Sequence, residues 1–193
     1  MKGQIMKNLE KLMKHAKKIK YTHKDRMACI KKSLSQIGST EYLIICMEEI
    51  AELTDVIMGN TLNKVDYIHT AEEIVDVKFA TDILKVIYKI KEKDLKKVKK
   101  SDSKGKDKII VRSIQTLAQS QQGISKAVRW KDRESEKTIK EKIIGIINDL
   151  NTTMADLESI YKIKNKDIEA IEKLKTWRLK KRIAMYDAKK KKK

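Results

Sequence analysis

Apolar residues recur at intervals of three and four through most of the chain, the spacing of one face of an α-helix. The pattern predicts helices near residues 2–20, 24–36, 40–58, 70–98, 109–130, 134–163 and 166–187. Strands bounded by turn clusters are hard to find, and no proline and only six glycines interrupt the chain. Thr22 and Ser39 are placed to cap the second and third helices. The polar run 101–107 (SDSKGKD) is the clearest linker. The expected fold class is all-α, a helical bundle.

The halves flanking that linker look like a degenerate duplication. IYKIKEKDL from Ile87 parallels IYKIKNKDI from Ile160, an offset of 73 that also pairs Leu84 with Leu157 and Asp76 with Asp149. Extended without gaps, it sets MEEIAE at Met47 opposite SQQGIS at Ser120. A helical repeat commonly buries its apolar face against its copy, so an intramolecular pseudo-dimer is expected. The expected organisation is a first repeat with N-terminal helices over 1–100, a linker over 101–107, a degenerate repeat over 108–188 and a Lys-rich tail over 189–193.

Length and composition narrow the function classes. The 193 residues suffice for one sizeable helical domain or two small ones. With 40% hydrophobic residues at helical spacing, most of the chain can bury a core. Cys29 and Cys46 form no C-x-x-C unit, which argues against a zinc site or disulfide framework and for a reduced, cytoplasmic setting. The longest apolar run, 42–47, is too short to span a bilayer, and residues 1–20 lack the apolar core of a signal peptide. Membranes are therefore not expected partners. The net charge of +19 suits phosphorylated or polyanionic ligands. Lysines are nevertheless spread along most predicted helices, and aromatics suited to base stacking total 5%, so nucleic acid is not the expected partner.

The chemistry concentrates in two acidic segments. In MEEIAEL (47–53), Glu49 and Glu52 are three residues apart, on one side of a helix, with Tyr42, Ile45, Leu53 and Val56 near Glu49. In AEEIVDV (71–77), Glu73 and Asp76 repeat the spacing, sharing their side with Val77, Ala80, Leu84 and Ile87. Lys78, Asp82 and Lys85 fall on the opposite face. Carboxylates aimed toward a core need a cation to offset desolvation, and Mg²⁺ prefers such oxygen ligands. A solvated acidic face is the plain alternative, and Thr70 to Glu73 also fits a capping box. That box leaves Asp76 unexplained.

These residues resemble the all-α nucleoside triphosphate pyrophosphatase superfamily, which includes MazG proteins and dimeric dUTPases. Its E-x-x-E, spacer, E-x-x-D pattern is matched by Glu49-x-x-Glu52, twenty residues, then Glu73-x-x-Asp76. The specific match covers residues 37–90, and KLKTWRLKKR (173–182) is more loosely similar to a closing helix of small MazG-like proteins. The resemblance implies a four-helix core that cleaves an NTP or dNTP between its α- and β-phosphates. Glu49, Glu52, Glu73 and Asp76 would be both catalytic and metal-binding, holding Mg²⁺ or alternatively Mn²⁺. Glu49 is the candidate for positioning or deprotonating the water, with Glu48 a supporting acid.

At the 73-residue offset the four acids become Gln122, Ser125, Ile146 and Asp149, so the second copy is expected to hold no metal and to serve as the structural partner. Lys175, Arg178 and Arg182 share one helical face and are candidate substrate-phosphate contacts, against the alternative of a solvated basic face. Trp130 and Trp177 are read as core packing in preference to base stacking. Three functions are weighed, in descending order: an NTP pyrophosphohydrolase, a nucleotide-capturing protein that has lost catalysis, and a basic helical nucleic-acid binder. Pairing of two pseudo-dimers as a homodimer is left open.

Overall fold

The computed structural model describes residues 13–102, 105–129 and 133–190, and among them there is no strand. After helical residues 13–17 (α1) come α2 (His23–Ile37), α3 (Ser39–Leu62), α4 (Tyr67–Ile87), a 3₁₀ turn at Glu92–Asp94, α5 (Lys106–Arg129), α6 (Glu136–Ile160) and α7 (Asn165–Lys190). The all-α class is as expected. Residues 1–12 of the predicted first helix, Trp130 and residues 191–193 of the tail lie outside the described residues. No described helix is long and apolar enough to cross a membrane. By its contacts the chain forms two compact units, Ser39–Ile163 and Met1–Gly38 with Lys164–Lys193.

In the Ser39–Ile163 unit, α3 packs against α4 and α5, α5 against α6, and α6 against α4, closing a ring of four helices. Each helix supplies a stripe. On α3 it is Tyr42, Leu43, Cys46, Ile50, Leu53, Val56 and Ile57; on α6 it is Ile139, Ile143, Ile147, Leu150, Met154 and Leu157. The stripe of α5 is narrow, with Ile110, Leu117 and Ile124 alternating with Ser113 and Ser120. Burying each large aliphatic side chain contributes about 1.5–3 kcal/mol before entropy is counted. Helix α4 is buried almost all round, and this corrects the expected outer face. Asp82 is 2% exposed and paired with Lys85 at 3.2 Å, and Lys78 pairs with Glu158 of α6 at 2.6 Å.

Helix α4 stops at Ile87, not near 98. Tyr88 N–H donates to Leu84 O at 3.0 Å, Lys89 takes the left-handed φ of 51°, and Ile90 N–H donates back to Lys85 O at 2.9 Å. This is a Schellman closure with lysine where glycine is usual. Helix α6 ends identically: Lys162 has φ 56°, and Ile163 N–H reaches Glu158 O at 2.8 Å. Ile90 and Ile163 are each 7% exposed, the buried apolar contact that accompanies this motif.

Short stretches of the two helix pairs show parallel burial. Ile74, Val77, Ala80 and Leu84 of α4 match Ile147, Leu150, Thr153 and Leu157 of α6 at an offset of 73. Leu43, Cys46 and Ile50 of α3 match Leu117, Ser120 and Ile124 of α5 at 74. Counted at 74, Glu49 and Glu52 correspond to Gly123 and Lys126; counted at 73, they correspond to Gln122 and Ser125.

In the other unit, α2 packs against α7. Thr22 caps α2 as expected, in a reciprocal box with Asp25. Gly38, at φ 108°, ends α2 with its N–H on Leu34 O, and α3 begins at Ser39 itself, so Ser39 is the first helical residue and not a cap. Ala16, Ile19, Ala170 and Leu174 form a small core, with Met13, Tyr21 and Trp177 packed on it. Arg26, 8% exposed, reaches Glu172 at 3.0 Å and His23 Nδ1 at 2.8 Å.

Candidate metal centre

The residues 63–66 between α3 and α4 are held by side chains. Asp66 caps α4 by accepting from His69 N–H at 3.1 Å, while Asn60 Oδ1 accepts from Asp66 N–H at 3.1 Å. Asn60 Nδ2 donates to Thr70 Oγ1 at 2.8 Å, and that hydroxyl donates to Asp66 O. Thr70 therefore lies inside the first turn of α4, and the Thr70–Glu73 capping box does not form. Its proposed use of Glu73 falls away.

This connection sets α4 beside α3 so that three carboxylates converge. Glu49 and Glu52 from α3 and Glu73 from α4 each place an oxygen within 4.8 Å of the others. Glu73 is 8% exposed, Glu49 is half-buried and Glu52 is exposed. Glu49 sits at the edge of the buried α3 stripe and not at its middle, which runs through Cys46, Ile50 and Leu53. Asp76 is half-buried and does not belong to the converging set. Glu48 is exposed. Two negative charges at such a separation repel by roughly 1 kcal/mol where water screens them and 3–4 where it does not. Hard oxygen donors on two rigid helices, one nearly buried, suit a divalent cation such as Mg²⁺.

One neighbour, His69, is not among the residues the sequence singles out. His69 Nε2 lies 3.3 Å from Glu73 Oε1, one turn earlier on α4. His69 also lines a cleft of about 290 Å³ with Ala51, Glu52, Asp55 and Val56, so Asp55 faces this cleft too. The i,i+4 spacing of His69 and Glu73 was the available signal. Cys46, three residues before Glu49, is buried, and its Sγ is 3.7 Å from Ala80 O. Burial, and then the charge of Glu49, push its thiol far above the usual range, so it stays protonated and inert.

The pair α5 and α6 forms a cleft of different composition. Gly123, Lys126, Ile146 and Asp149 line one cleft of about 360 Å³. Lys142 lies on the same cleft and binds Glu134 at 2.6 and 2.8 Å. Ile146 Cδ1 sits 2.5 Å from where a Cβ on Gly123 would project. This cleft sets Lys126 and Lys142 beside Glu134 and Asp149, with Ile146 between the helices.

Lys175, Arg178 and Arg182 lie on α7, in the Met1–Gly38 and Lys164–Lys193 unit, whereas the acids belong to the other. Trp177 packs on the small core, edge-on to His15 with centroids 5.2 Å apart and with Lys181 Nζ 3.8 Å from its ring centroid, as a core residue would. No family model, curated protein or solved structure matches the chain.

Proposed function

We propose that the Ser39–Ile163 unit is a Mg²⁺-dependent nucleoside triphosphate pyrophosphohydrolase, cleaving an NTP or dNTP to the monophosphate and pyrophosphate. The observation that carries the reading is the convergence of Glu49 and Glu52 with Glu73 from the neighbouring helix. The reaction class comes from the resemblance of the paired acidic segments to the all-α pyrophosphatase superfamily. A duplicated helical hairpin, with one acidic and one degenerate copy, accounts for the matched Schellman ends and burial patterns.

Mg²⁺, or Mn²⁺ in its place, would supply charge neutralisation at the phosphate oxygens when bound. Glu49, Glu52 and Glu73 would hold it, with Asp76 as the outlying fourth acid. Half-buried Glu49 is the base that orients the attacking water and takes its proton. His69 fixes the orientation of the Glu73 carboxylate through their contact. The cleft lined by Ala51, Asp55 and Val56 is the entry for the nucleotide.

The test is a panel of nucleotides with Mg²⁺, scored by product identity. Release of pyrophosphate that disappears in Glu52→Gln and Asp76→Asn supports hydrolysis. Tight binding with full recovery of unaltered nucleotide would instead support capture, the reading favoured by the loss of acids at Gly123, Lys126 and Ile146. Neither turnover nor binding of any nucleotide by folded protein would end both.

A further inference from the structure

The charge of the chain is not shared between its two units. Met1–Gly38 with Lys164–Lys193 holds 24 Lys and Arg against 6 Asp and Glu, a net of +18; Ser39–Ile163 holds 22 against 21, a net of +1. The lysines that look evenly spread in chain order are balanced by acids in the four-helix ring and unbalanced elsewhere. Within the basic unit, the acids serve inward purposes. Asp25 closes the Thr22 box, Glu172 is paired with Arg26, Asp187 holds Gln36 at 2.7 Å and Lys32 at 3.6 Å, and Asp167 is 1% exposed. Glu169 alone of the remaining described acids there is exposed.

Most of the described cations of α7 face outward. From Arg178 onward every described residue of α7 is exposed except Leu179, Ile183 and Asp187, which mark its inward side. Opposite them, at about 100° per residue, Arg178, Lys181, Arg182 and Lys189 form one stripe over roughly 16 Å. Duplex DNA presents one phosphate charge per about 1.7 Å of axis, so such a stripe meets a dense run of counter-charge. A lipid surface fits less well. A helix lying in a bilayer interface needs an exposed apolar face, and among the described residues of this unit the exposed large hydrophobics are three, Ile37, Met185 and Tyr186. Tyr21 and Trp177 are each covered by a lysine, at 5.2 and 3.8 Å from the ring centroid, which leaves Tyr186, tied through its hydroxyl to Gln36 O, as the exposed ring among the described Tyr and Trp residues of the unit, too few for reading bases.

We infer that the unit built from α1, α2 and α7 docks onto nucleic acid through the phosphodiester backbone without reading sequence, with Arg178, Lys181, Arg182 and Lys189 as its α7 contacts. This stands apart from the pyrophosphohydrolase reading, and measuring in EDTA keeps the acid cluster out of the result.

The test is fluorescence anisotropy of the full chain with DNA duplex, RNA duplex and single strands of about 24 nucleotides, beside phosphatidylserine vesicles. Nucleic acid should bind at about 50 mM salt and weaken roughly 100-fold or more by 200 mM, whatever its sequence. Replacing all four cations with Gln should weaken binding at least tenfold and make the log–log salt slope shallower by about 3–4, with unchanged circular dichroism. Should that variant fail to fold, Lys14, Lys17, Lys18 and Lys20→Gln carries the same expectation. The preferred strand form names the target among nucleic acids. Absence of nucleic-acid binding at low salt, binding to vesicles only, or a salt slope indifferent to both variants would overturn the inference.

Discussion

His69 and Glu73 meet one helical turn apart on α4, Nε2 to Oε1 at 3.3 Å, at the point where a nearly buried carboxylate joins two others. A ring held against a carboxylate restricts its rotation, so fewer orientations are lost when a cation arrives. His69→Ala is expected to weaken Mn²⁺ binding by about tenfold, with unchanged helicity. Calorimetric titration checks this, and equal affinity would assign His69 to the cleft wall alone.

Mutual repulsion among Glu49, Glu52 and Glu73 has a consequence without any metal. Glu52 is the exposed member, and its removal leaves no buried hole. Glu52→Gln is expected to stabilise the protein in EDTA by up to about 1 kcal/mol, a rise of a few degrees in melting temperature. Added Mg²⁺ should raise the melting temperature of the parent and not of the variant. Scanning calorimetry in both buffers reads the crossing effect.

Lys89 and Lys162 carry side chains in a backbone region that costs a non-glycine residue roughly 1–2 kcal/mol. Lys89→Gly and Lys162→Gly should each stabilise by about 1 kcal/mol, and the double variant by nearly the sum, because the sites share no partners. Urea unfolding measures all three. Destabilisation by either would show that the lysine side chain contributes more than its backbone costs.

Asp25 gives a pH signature to the start of α2. The hydrogen bond from the Thr22 hydroxyl, then that from its backbone N–H, lowers the Asp25 carboxyl from its ordinary 3.8. A depressed folded value means the stabilisation is complete above the unfolded value and fades as pH falls through the folded one. Stability should therefore drop in acid below about pH 4. Part of that drop should vanish in Asp25→Asn, whose stability at pH 7 should be lower than the parent's. Parallel acid dependence in both would remove the capping box as its source.

How far such features could be read from the chain depends on their range. The i,i+3 acid pairs and the all-α class follow from helical periodicity, because helical neighbours are sequence neighbours. Convergence of Glu49, Glu52 and Glu73 without Asp76 depends on how α4 turns against α3, which Asp66 and Asn60 decide across the connection. Asp66 had the right chemistry for a cap, yet Thr70 offered a competing start four residues later. The left-handed Lys89 lacked the glycine that normally marks a helix end, so the pattern ran on to 98.

The unit containing α2 and α7 is encoded discontinuously, before and after the ring of α3 to α6. During synthesis its first half emerges well before its second, and the whole of Ser39–Ile163 is translated in the interval. The ring can thus reach its native contacts while α2 still awaits α7. A chain ended after Ile163 should therefore keep a folded ring and carry an incomplete, protease-sensitive and strongly cationic leading segment, and restoring α7 should end that sensitivity.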